Sequence, residues 1–380
     1  MAPVFRKFTK RVFIIISIVI SSLFVLACCN AFLPPQTFWF ISILGLGFPF
    51  LLVLVFALLV FWIIFRSRWA LLPLACLALG YTNIRALIAF NFGRENRLEK
   101  PASTLRVLSW NVSWFDEQKR ADKNRISFRK DILAFIKKTQ PDVLCFQEYV
   151  EPNTRFRDYN NRKDITALGY PYSMVVTDYT GWKNTWQTGV AIFSKYPIAD
   201  SLHTRYPGPK AFRAGESLIA TDLDVNGRKI RIFNTHLQSF LFKPKDYRDL
   251  EIIKTASDSM LEASMSVVKK LAQGYRFRGQ QVDIVKRYLK ESPYPSIICG
   301  DFNDIPNSYT YFRIRSGRQD AFKEAGKGIG RTFSNLSPTL RIDYIMPDDN
   351  FEVLQYFRYV LPYSEHYPVI ADLQLQESAN

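Results

Sequence analysis

Apolar positions are distributed along this chain in two different ways. Near the N-terminus they form long unbroken runs. Val12–Leu33 is 22 residues and Phe38–Phe65 is 28 residues, and neither contains a charge. A hydrocarbon core about 30 Å thick is crossed by about 20 apolar residues of helix, so each run predicts a transmembrane helix. A third run, Trp69–Phe90, is interrupted by Arg85, a residue that near a helix end can snorkel to the headgroups. Three spans are therefore expected within residues 1–90. A cleaved signal peptide would account for the first run but not the second. Lipid modification at Cys28 in Val25-Leu26-Ala27-Cys28 would leave the later runs unexplained.

The polar, charged stretch 91–104 reads as a linker, and from residue 105 to 380 the pattern changes. Short apolar runs bounded by turn residues recur: Leu105–Trp110, Val143–Gln147, Tyr172–Val176, Val190–Ser194, Ser217–Leu223, Lys229–Asn234, Ser296–Cys299, Ile342–Met346 and Val369–Leu375. These predict strands. Asn226-Gly227 between two of them is a two-residue hairpin signal, so part of the sheet is expected to be antiparallel. Helical spacing appears in Phe128, Ile132, Phe135 and Ile136, with Lys137 and Lys138 in the last turn and Pro141 beyond. A second helical region is predicted over about Tyr247–Lys290, with Val282, Val285 and Leu289 on one face. The expected class is α/β with a mixed sheet.

Charge refines this picture. Residues 1–100 carry 10 Lys/Arg against 2 Asp/Glu and residues 101–380 carry 40 against 32, so the net +16 divides equally. The +8 of the second part suits an anionic substrate or membrane surface without selecting nucleic acid. Arg6, Lys7, Lys10 and Arg11 precede the first run and Arg66 and Arg68 follow the second, whereas the Pro34-Pro35-Gln36-Thr37 turn is uncharged. By the positive-inside rule the N-terminus is expected in the cytoplasm. Three crossings then place the C-terminal domain outside, the periplasm in a bacterium with two membranes, whereas two crossings would place it in the cytoplasm. The five cysteines show neither a paired framework nor a CxxC spacing, which excludes a disulfide scaffold and a zinc fold.

Residues suited to catalysis collect at the ends of the predicted strands: Asn111 in SWNVSWF, Gln147-Glu148 in PDVLCFQE, Thr235-His236 in FNTHLQ, Asp301 and Asn303 in IICGDFND, Asp343 in RIDYIM, and Ser364-Glu365-His366 in YSEHYPV. The chain has three histidines, and two of them are in this set. Mg²⁺ takes oxygen ligands and keeps several waters, so one or two carboxylates and an amide suffice, and Glu148 with Asn111 can supply them. A phosphoryl-transfer transition state also needs charge stabilisation, a positioned water and a donor to the leaving oxygen. Asp301, Asn303, His236 and His366 have the side chains for these tasks.

The ordered series WN, QE, TH, GDFN, IDY, S-acid-H, spanning about Leu105 to Leu375, resembles the endonuclease/exonuclease/phosphatase superfamily, which includes DNase I. The resemblance implies a four-layer sandwich, two mixed β-sheets flanked by helices, with the site at one end. It also implies Mg²⁺ or Mn²⁺ as cofactor, a metal set of Glu148, Asn111 and Glu365, and a catalytic set of His236, Asp301, Asn303, Asp343 and His366. In that reading Asp301 and Asn303 orient the attacking water and the scissile phosphate, His236 contacts the phosphate or assists the leaving group, and Asp343 orients His366. Family members usually carry aspartate before the last histidine. Glu365 stands there in this chain and extends the carboxylate by one methylene.

The implied activity is metal-dependent hydrolysis of a phosphate ester, with nucleic acid or a phospholipid headgroup as substrate. Thr180–Gln187, with Trp182, Lys183 and Trp186, could serve a nuclease by stacking on bases. Phe240-Leu241-Phe242, followed by Lys243 and Lys245, could serve a lipid phosphodiesterase at the bilayer. A catalytically decayed, membrane-tethered binding protein is the competing class. His203 matches no motif and is expected at the surface. Arg331 is expected either at phosphate or in a solvated loop, and Arg276, Arg278, Lys286, Arg287 and Lys290 on a largely solvated helix face.

Overall fold

The computed structural model describes residues 2–65, 67–116, 127–153, 159–208, 217–242, 245, 246, 248 and 260–376. Two compact units emerge, the first of residues 1–88, 240–279 and 305–312 and the second of residues 89–239, 280–304 and 313–380.

The first unit contains α1 (Ala2–Cys28), α2 (Pro35–Leu46), α3 (Phe48–Ile64), α4 (Leu71–Leu79) and α5 (Tyr81–Leu87). Lys7–Ala31 is one helix long and apolar enough to cross a membrane. The second and third apolar runs form bent pairs, Pro35–Leu46 with Phe48–Ile64 at 55° and Arg68–Leu79 with Tyr81–Leu87 at 60°, giving up to three crossings if each pair counts as one. The breaks fall at Gly47 and Gly80, residues that weaken a helix interior. Side-chain hydrogen bonds bridge its helices: Trp62 Nε1 donates to Ser17 Oγ at 2.8 Å, and Asn83 Nδ2 to the Cys28 carbonyl at 3.2 Å. Residues from the C-terminal half complete this unit. Phe240, Phe242, Val267, Leu271 and Tyr275 pack with Trp39, Ile43 and Leu46, and Asn307 donates to the Gly45 carbonyl at 3.3 Å.

The second unit is built on β1 (Ala89–Phe90), β2 (Leu105–Asn111), β3 (Val143–Pro152), β4 (Tyr172–Val175), β5 (Tyr179–Thr180), β6 (Trp186–Ser194), β7 (Ile198–Thr204), β8 (Leu218–Val225), β9 (Arg228–His236), β10 (Ser296–Asp301), β11 (Lys327–Gly328), β12 (Asp343–Pro347), β13 (Phe351–Arg358) and β14 (Val369–Leu375). Its helices are α6 (Arg129–Thr139), α7 (Asn161–Ala167) and α10 (Ala321–Ala325), together with the ends of α8 (Met260–Lys290) and α9 (Tyr309–Arg315). Of the helix expected over Tyr247–Lys290, the part before residue 260 lies largely outside the described residues.

Two sheets carry the unit. One has the order β12-β10-β9-β8-β7, the other β13-β14-β2-β3-β6-β4 with β5 beside β6. Both are mixed, β2 running parallel to β3 and β9 to β10. The sheets pack face to face through Val107, Val143 and Ile192 on one side and Ile219, Ile232 and Ile297 on the other. Alternate residues of β2 and β3, Leu108, Trp110, Leu144 and Phe146, face outward and are covered by Ile132, Phe135 and Ile136 of α6 and by Ile165 of α7. This is why β2 is buried along its whole length. The Asn226-Gly227 hairpin joins β8 to β9 with both residues at positive φ, 55° and 83°, the backbone of the favoured two-residue turn. Residues 91–97, expected as linker, are held in this unit: Asn91 donates to the carbonyls of Lys323 and Gly326, and Asn96 to those of Ala325 and Tyr356. The fold is the α/β sandwich of two mixed sheets flanked by helices, with the long apolar helix at its N-terminal side in sequence.

Candidate active site

Parallel pairing aligns the ends of the site strands. β9 and β10 run in register so that Thr235 faces Gly300 and His236 faces Asp301, while antiparallel β12 sets Asp343 opposite Asp301. In the other sheet β2 and β3 pair Asn111 with Gln147. Gly300 has φ 154°, and a Cβ there would lie 2.1 Å from the Thr235 carbonyl oxygen, so only glycine lets β10 approach β9 this closely.

Glu148 is aimed by a bulge. The register between β3 and β6 shifts between Phe146 and Tyr149, and Glu148 there has φ 50°. The extra residue turns the strand and redirects the side chain. Asn111 Nδ2 then donates to Glu148 Oε1 at 3.2 Å and to Asp301 Oδ2 at 3.1 Å.

Asp301 is the hub. Its Oδ1 accepts the Asn303 amide at 2.8 Å, and its Oδ2 lies 3.6 Å from both His236 Nε2 and His366 Nε2. Asn303, at φ 52°, donates through Nδ2 to the Leu237 carbonyl at 3.0 Å. His366 turns its Nδ1 to Asp343, 3.1 and 3.0 Å from the two oxygens. Thr332 Oγ1 accepts the amides of Ile342 and Asp343 and so fixes the start of β12.

Electrostatics follow from this crowding. Burial disfavours the His366 imidazolium, but Asp343, Asp301 and Glu148 outweigh burial and push its pKa up to about 9. Burial raises the Asp343 carboxyl, opposed by His366 and reinforced by Asp301. Asp301, Asp343 and His366 bring ligand atoms within 4.8 Å of one another, and Glu148 is tied to the same place through Asn111. Buried carboxylates converging at one point need compensating positive charge, part of which His366 supplies when protonated. The carboxylate oxygens of Glu148 and Asp301 are hard donors that fit a divalent ion such as Mg²⁺, whereas Asn111, expected among the metal ligands, turns its Nδ2 to both carboxylates and its Oδ1 to the Ser113 amide at 3.0 Å.

The structure thus gathers Asn111, Glu148, His236, Asp301, Asn303, Asp343 and His366. Glu365 stands apart: its side chain is exposed and is not in the cluster formed by Asp301, Asp343 and His366. His203 is exposed on edge strand β7, with Nε2 2.8 Å from Ser217 Oγ. Arg331 gives its guanidinium to the carbonyls of Phe333 and Ser334. Trp186 packs on Trp114, ring centroids 4.2 Å apart, while the Trp182 side chain and Lys243 lie outside the described residues. Arg278 is buried, its guanidinium over the rings of Phe240 and Tyr275 at 4.6 and 5.0 Å, and Arg276 lies over Trp39, so the long helix is not simply a solvated face.

A supporting network is centred on Asn234, which the motifs did not single out. Asn234 of β9 accepts from Gln147 Nε2 at 2.7 Å and donates to the carbonyls of Phe146 and Ala191 at 2.9 and 3.0 Å. It joins the two sheets directly beneath Glu148 and His236 in the chain. Its signal was an amide at an inward position of a strand. Ser364 acts similarly, donating to the Asn111 carbonyl at 2.7 Å and accepting the His366 amide at 3.1 Å.

Comparison with known proteins agrees with this geometry. The model of the endonuclease/exonuclease/phosphatase family matches residues 108–366, and a domain of unknown function matches residues 10–87. A DNA-(apurinic or apyrimidinic site) endonuclease of Dictyostelium discoideum is 30% identical over 104 residues, 27% of this chain and 24% of that protein. The chain therefore spans about a quarter of that curated relative. An endonuclease/exonuclease/phosphatase from Beutenbergia cavernae aligns with TM-score 0.53 and 19% identity, over 73% of this chain and 72% of the other. The human Nocturnin catalytic domain aligns with TM-score 0.51 and 20% identity, over 74% and 99%. With the family model matching more than half of its residues, this chain belongs to the endonuclease/exonuclease/phosphatase family, whose members are generally phosphoesterases.

Proposed function

We propose that this protein is a membrane-anchored, divalent-metal-dependent phosphoesterase whose catalytic unit lies on the outer side of the membrane. The observation that carries the chemistry is the position of Asp301, with an imidazole 3.6 Å away on each of two sides and the Asn111 amide at 3.1 Å. Two imidazoles beside one acid supply the side-chain types of a base and a donor to a phosphoryl group. Glu148 and Asp301, braced by the Asn111 amide, would hold the metal, which when bound supplies charge neutralisation at the phosphate oxygens. Asp301 and Asn303 orient the attacking water. His366, oriented by Asp343, and His236 hydrogen-bond the phosphoryl oxygens and carry the proton to the leaving group.

The three apolar runs support anchoring, and the basic N-terminus supports a cytoplasmic location for that end. The packing of Val267, Leu271 and Tyr275 on Trp39, Ile43 and Leu46 within the first unit supports the outer placement, because α2 follows the uncharged turn between the first two runs. A C-terminal reporter active only in the cytoplasm refutes this topology.

The chemistry is tested on the full chain in lipid nanodiscs with plasmid DNA, RNA, sphingomyelin, phosphoinositides and an aryl phosphodiester, each with Mg²⁺ and with chelator. Chelator-sensitive turnover that disappears in His236→Ala is the expected result. Absence of turnover on every substrate, with metal binding intact, favours a binding protein instead.

A further inference from the structure

The first apolar helix and the helix that returns beside it fix where α2 lies. Phe48 stacks on Phe24 with ring centroids 5.3 Å apart, Trp62 reaches Ser17, and Phe61 stacks on Phe13 at 4.6 Å, so α3 runs back along α1 towards its N-terminus. What precedes Phe48 therefore sits at the C-terminal end of α1. Asn30, just past that helix, fills the space a Cβ at Gly45 would need. With 12 residues α2 is about 18 Å long, too short to cross a hydrocarbon core about 30 Å thick. Phe38 interrupts it at φ −104° and ψ 38°, and backbone groups freed in this way need water or protein partners.

Within the same unit α8 packs along α2 in the opposite direction. Pro35 and Gln36 fill the space a Cβ at Gly279 would need, the Arg276 guanidinium lies 5.6 Å from the Trp39 ring, and Val267, Leu271 and Tyr275 pack with Ile43 and Leu46. From Ser264 to Gly279 the chain carries Lys269, Lys270, Arg276 and Arg278 and no acid. Lys270 pairs with Asp246, and Arg278 is buried against Phe240 and Tyr275. Lys269 and Arg276 are exposed, on the same helix stripe as the exposed Met265 and Val268. Basic and apolar side chains on one stripe suit the boundary between headgroups and acyl chains, whereas the cations would be costly inside the hydrocarbon.

Resting on the membrane anchoring proposed above, we infer that α2 and residues 264–279 of α8 form a collar in the headgroup layer at the Asn30 end of the first crossing, and that this collar binds anionic phospholipid through Lys269 and Arg276. Met265 and Val268 enter the upper acyl region while the two cations meet lipid phosphates. The second crossing is then made by α3 alone, whose 17 residues reach the lower limit for a span. The exposed face of this part of α8 is covered by lipid rather than by water.

The test uses the full chain in nanodiscs of phosphatidylglycerol and phosphatidylcholine, with a nitroxide attached in turn to Phe40→Cys, Met265→Cys and Val53→Cys on a Cys29→Ser background. Collisions with oxygen and with a water-soluble nickel complex read the depth of each label. Val53→Cys, on α3, is expected near the bilayer centre, and Phe40→Cys and Met265→Cys at the headgroups. A Phe40→Cys label as deep as Val53→Cys, or a Met265→Cys label in open water, overturns the collar and leaves the anchoring standing. All three labels in water defeats both. In native mass spectrometry the wild type is expected to retain phosphatidylglycerol over phosphatidylcholine. Lys269→Gln and Arg276→Gln should each lower that preference by about fivefold, the scale of one basic residue at an anionic surface, and Lys137→Gln, on α6 of the second unit, should leave it unchanged. Equal retention of the two lipids by the wild type, or a preference that survives both changes together, overturns the assignment of the anionic headgroup.

Discussion

The two units use the same residue types against opposite surroundings. In the first, large apolar side chains point outward: Phe50 is 57% exposed, Val53 66%, Ile64 70% and Leu79 72%. In the second, Val107, Val143, Ile192 and Ile297 are fully buried, and the same interior also holds Asn234, Gln147, Asp301 and Asp343. Soluble proteins rarely expose contiguous apolar surface on the scale of the first unit, and burying carboxylates is costly unless each is partnered. In the first unit buried polar groups bridge helices at Ser17 to Trp62 and at Asn83 to the Cys28 carbonyl. The second concentrates them at one end of two sheets. Hydrophobic side chains therefore face outward in one unit and form scaffolding in the other, and the polar cluster gathers at the strand ends.

The strongest way to break the comparison is at the hub of the polar cluster. Asp301→Ala removes the acceptor shared by Asn111, Asn303 and both imidazoles, and because these residues act as a unit, turnover should fall by about 10³-fold or more. A chelator-sensitive rate within tenfold of wild type would show that the cluster is not the catalytic centre. A comparable disturbance of the first unit is a charge on its outer face. Val53→Lys should cost about 2.5–3.5 kcal/mol of insertion if that side chain faces the bilayer centre, whereas Ile329→Lys, at an exposed site in the second unit, should change stability by no more than about 0.5 kcal/mol. The inserted fraction and the melting temperature of the two variants measure the contrast. Equal tolerance at both positions would remove the membrane reading of the first unit.

The interior of the second unit can be probed away from the reacting groups. Asn234→Ala deletes the amide that joins the sheets and leaves the Phe146 and Ala191 carbonyls and the Gln147 amide without it. Such losses cost about 1–3 kcal/mol, so the protein should unfold at lower denaturant while Mg²⁺ binding survives. Loss of Mg²⁺ affinity with unchanged stability would instead make Asn234 part of the metal site.

These contrasts also separate what the sequence disclosed from what it did not. The apolar runs, the strands ending in Asn111, His236 and Asp301 and the strand beginning at Asp343 were legible because period and punctuation are local, and the motif order was legible because each strand carries its polar residue at one end. Strands β7 and β13 were missed. β7 is largely exposed, and β13 alternates with Glu352, Gln355 and Arg358, so neither presents a continuous apolar run. The bulge that turns Glu148 inward depends on the register with β6, which no single strand encodes. Nor did local pattern reveal that residues 240–279 pack in the first unit, since Phe240 and Phe242 read equally well as a loop.

The mildest perturbation is a change of pH, and it should move the metal-free and metal-bound proteins in opposite directions. His366, raised from 6.5 to about 9 chiefly by Asp343 and Asp301 against the effect of burial, is an imidazolium at neutral pH in the metal-free protein. A group whose folded pKa is raised contributes stability that is fully present below its unfolded value and lost as pH rises through the folded one. The metal-free protein should therefore lose stability from about pH 6.5 to 9, by at most about 1.4 kcal/mol for each pH unit. A divalent ion at Asp301 competes with that same imidazolium for the carboxylates. Mg²⁺ affinity should then rise over the same window, by at most about tenfold for each proton released per pH unit, and level off above it. Calorimetry at a series of pH values reads the affinity, and denaturant midpoints with chelator read the stability. His366→Gln should flatten both curves together. A wild-type affinity independent of pH between 6.5 and 9 would mean that the ion does not share carboxylates with His366, and the cation site would have to be sought around Glu148 alone.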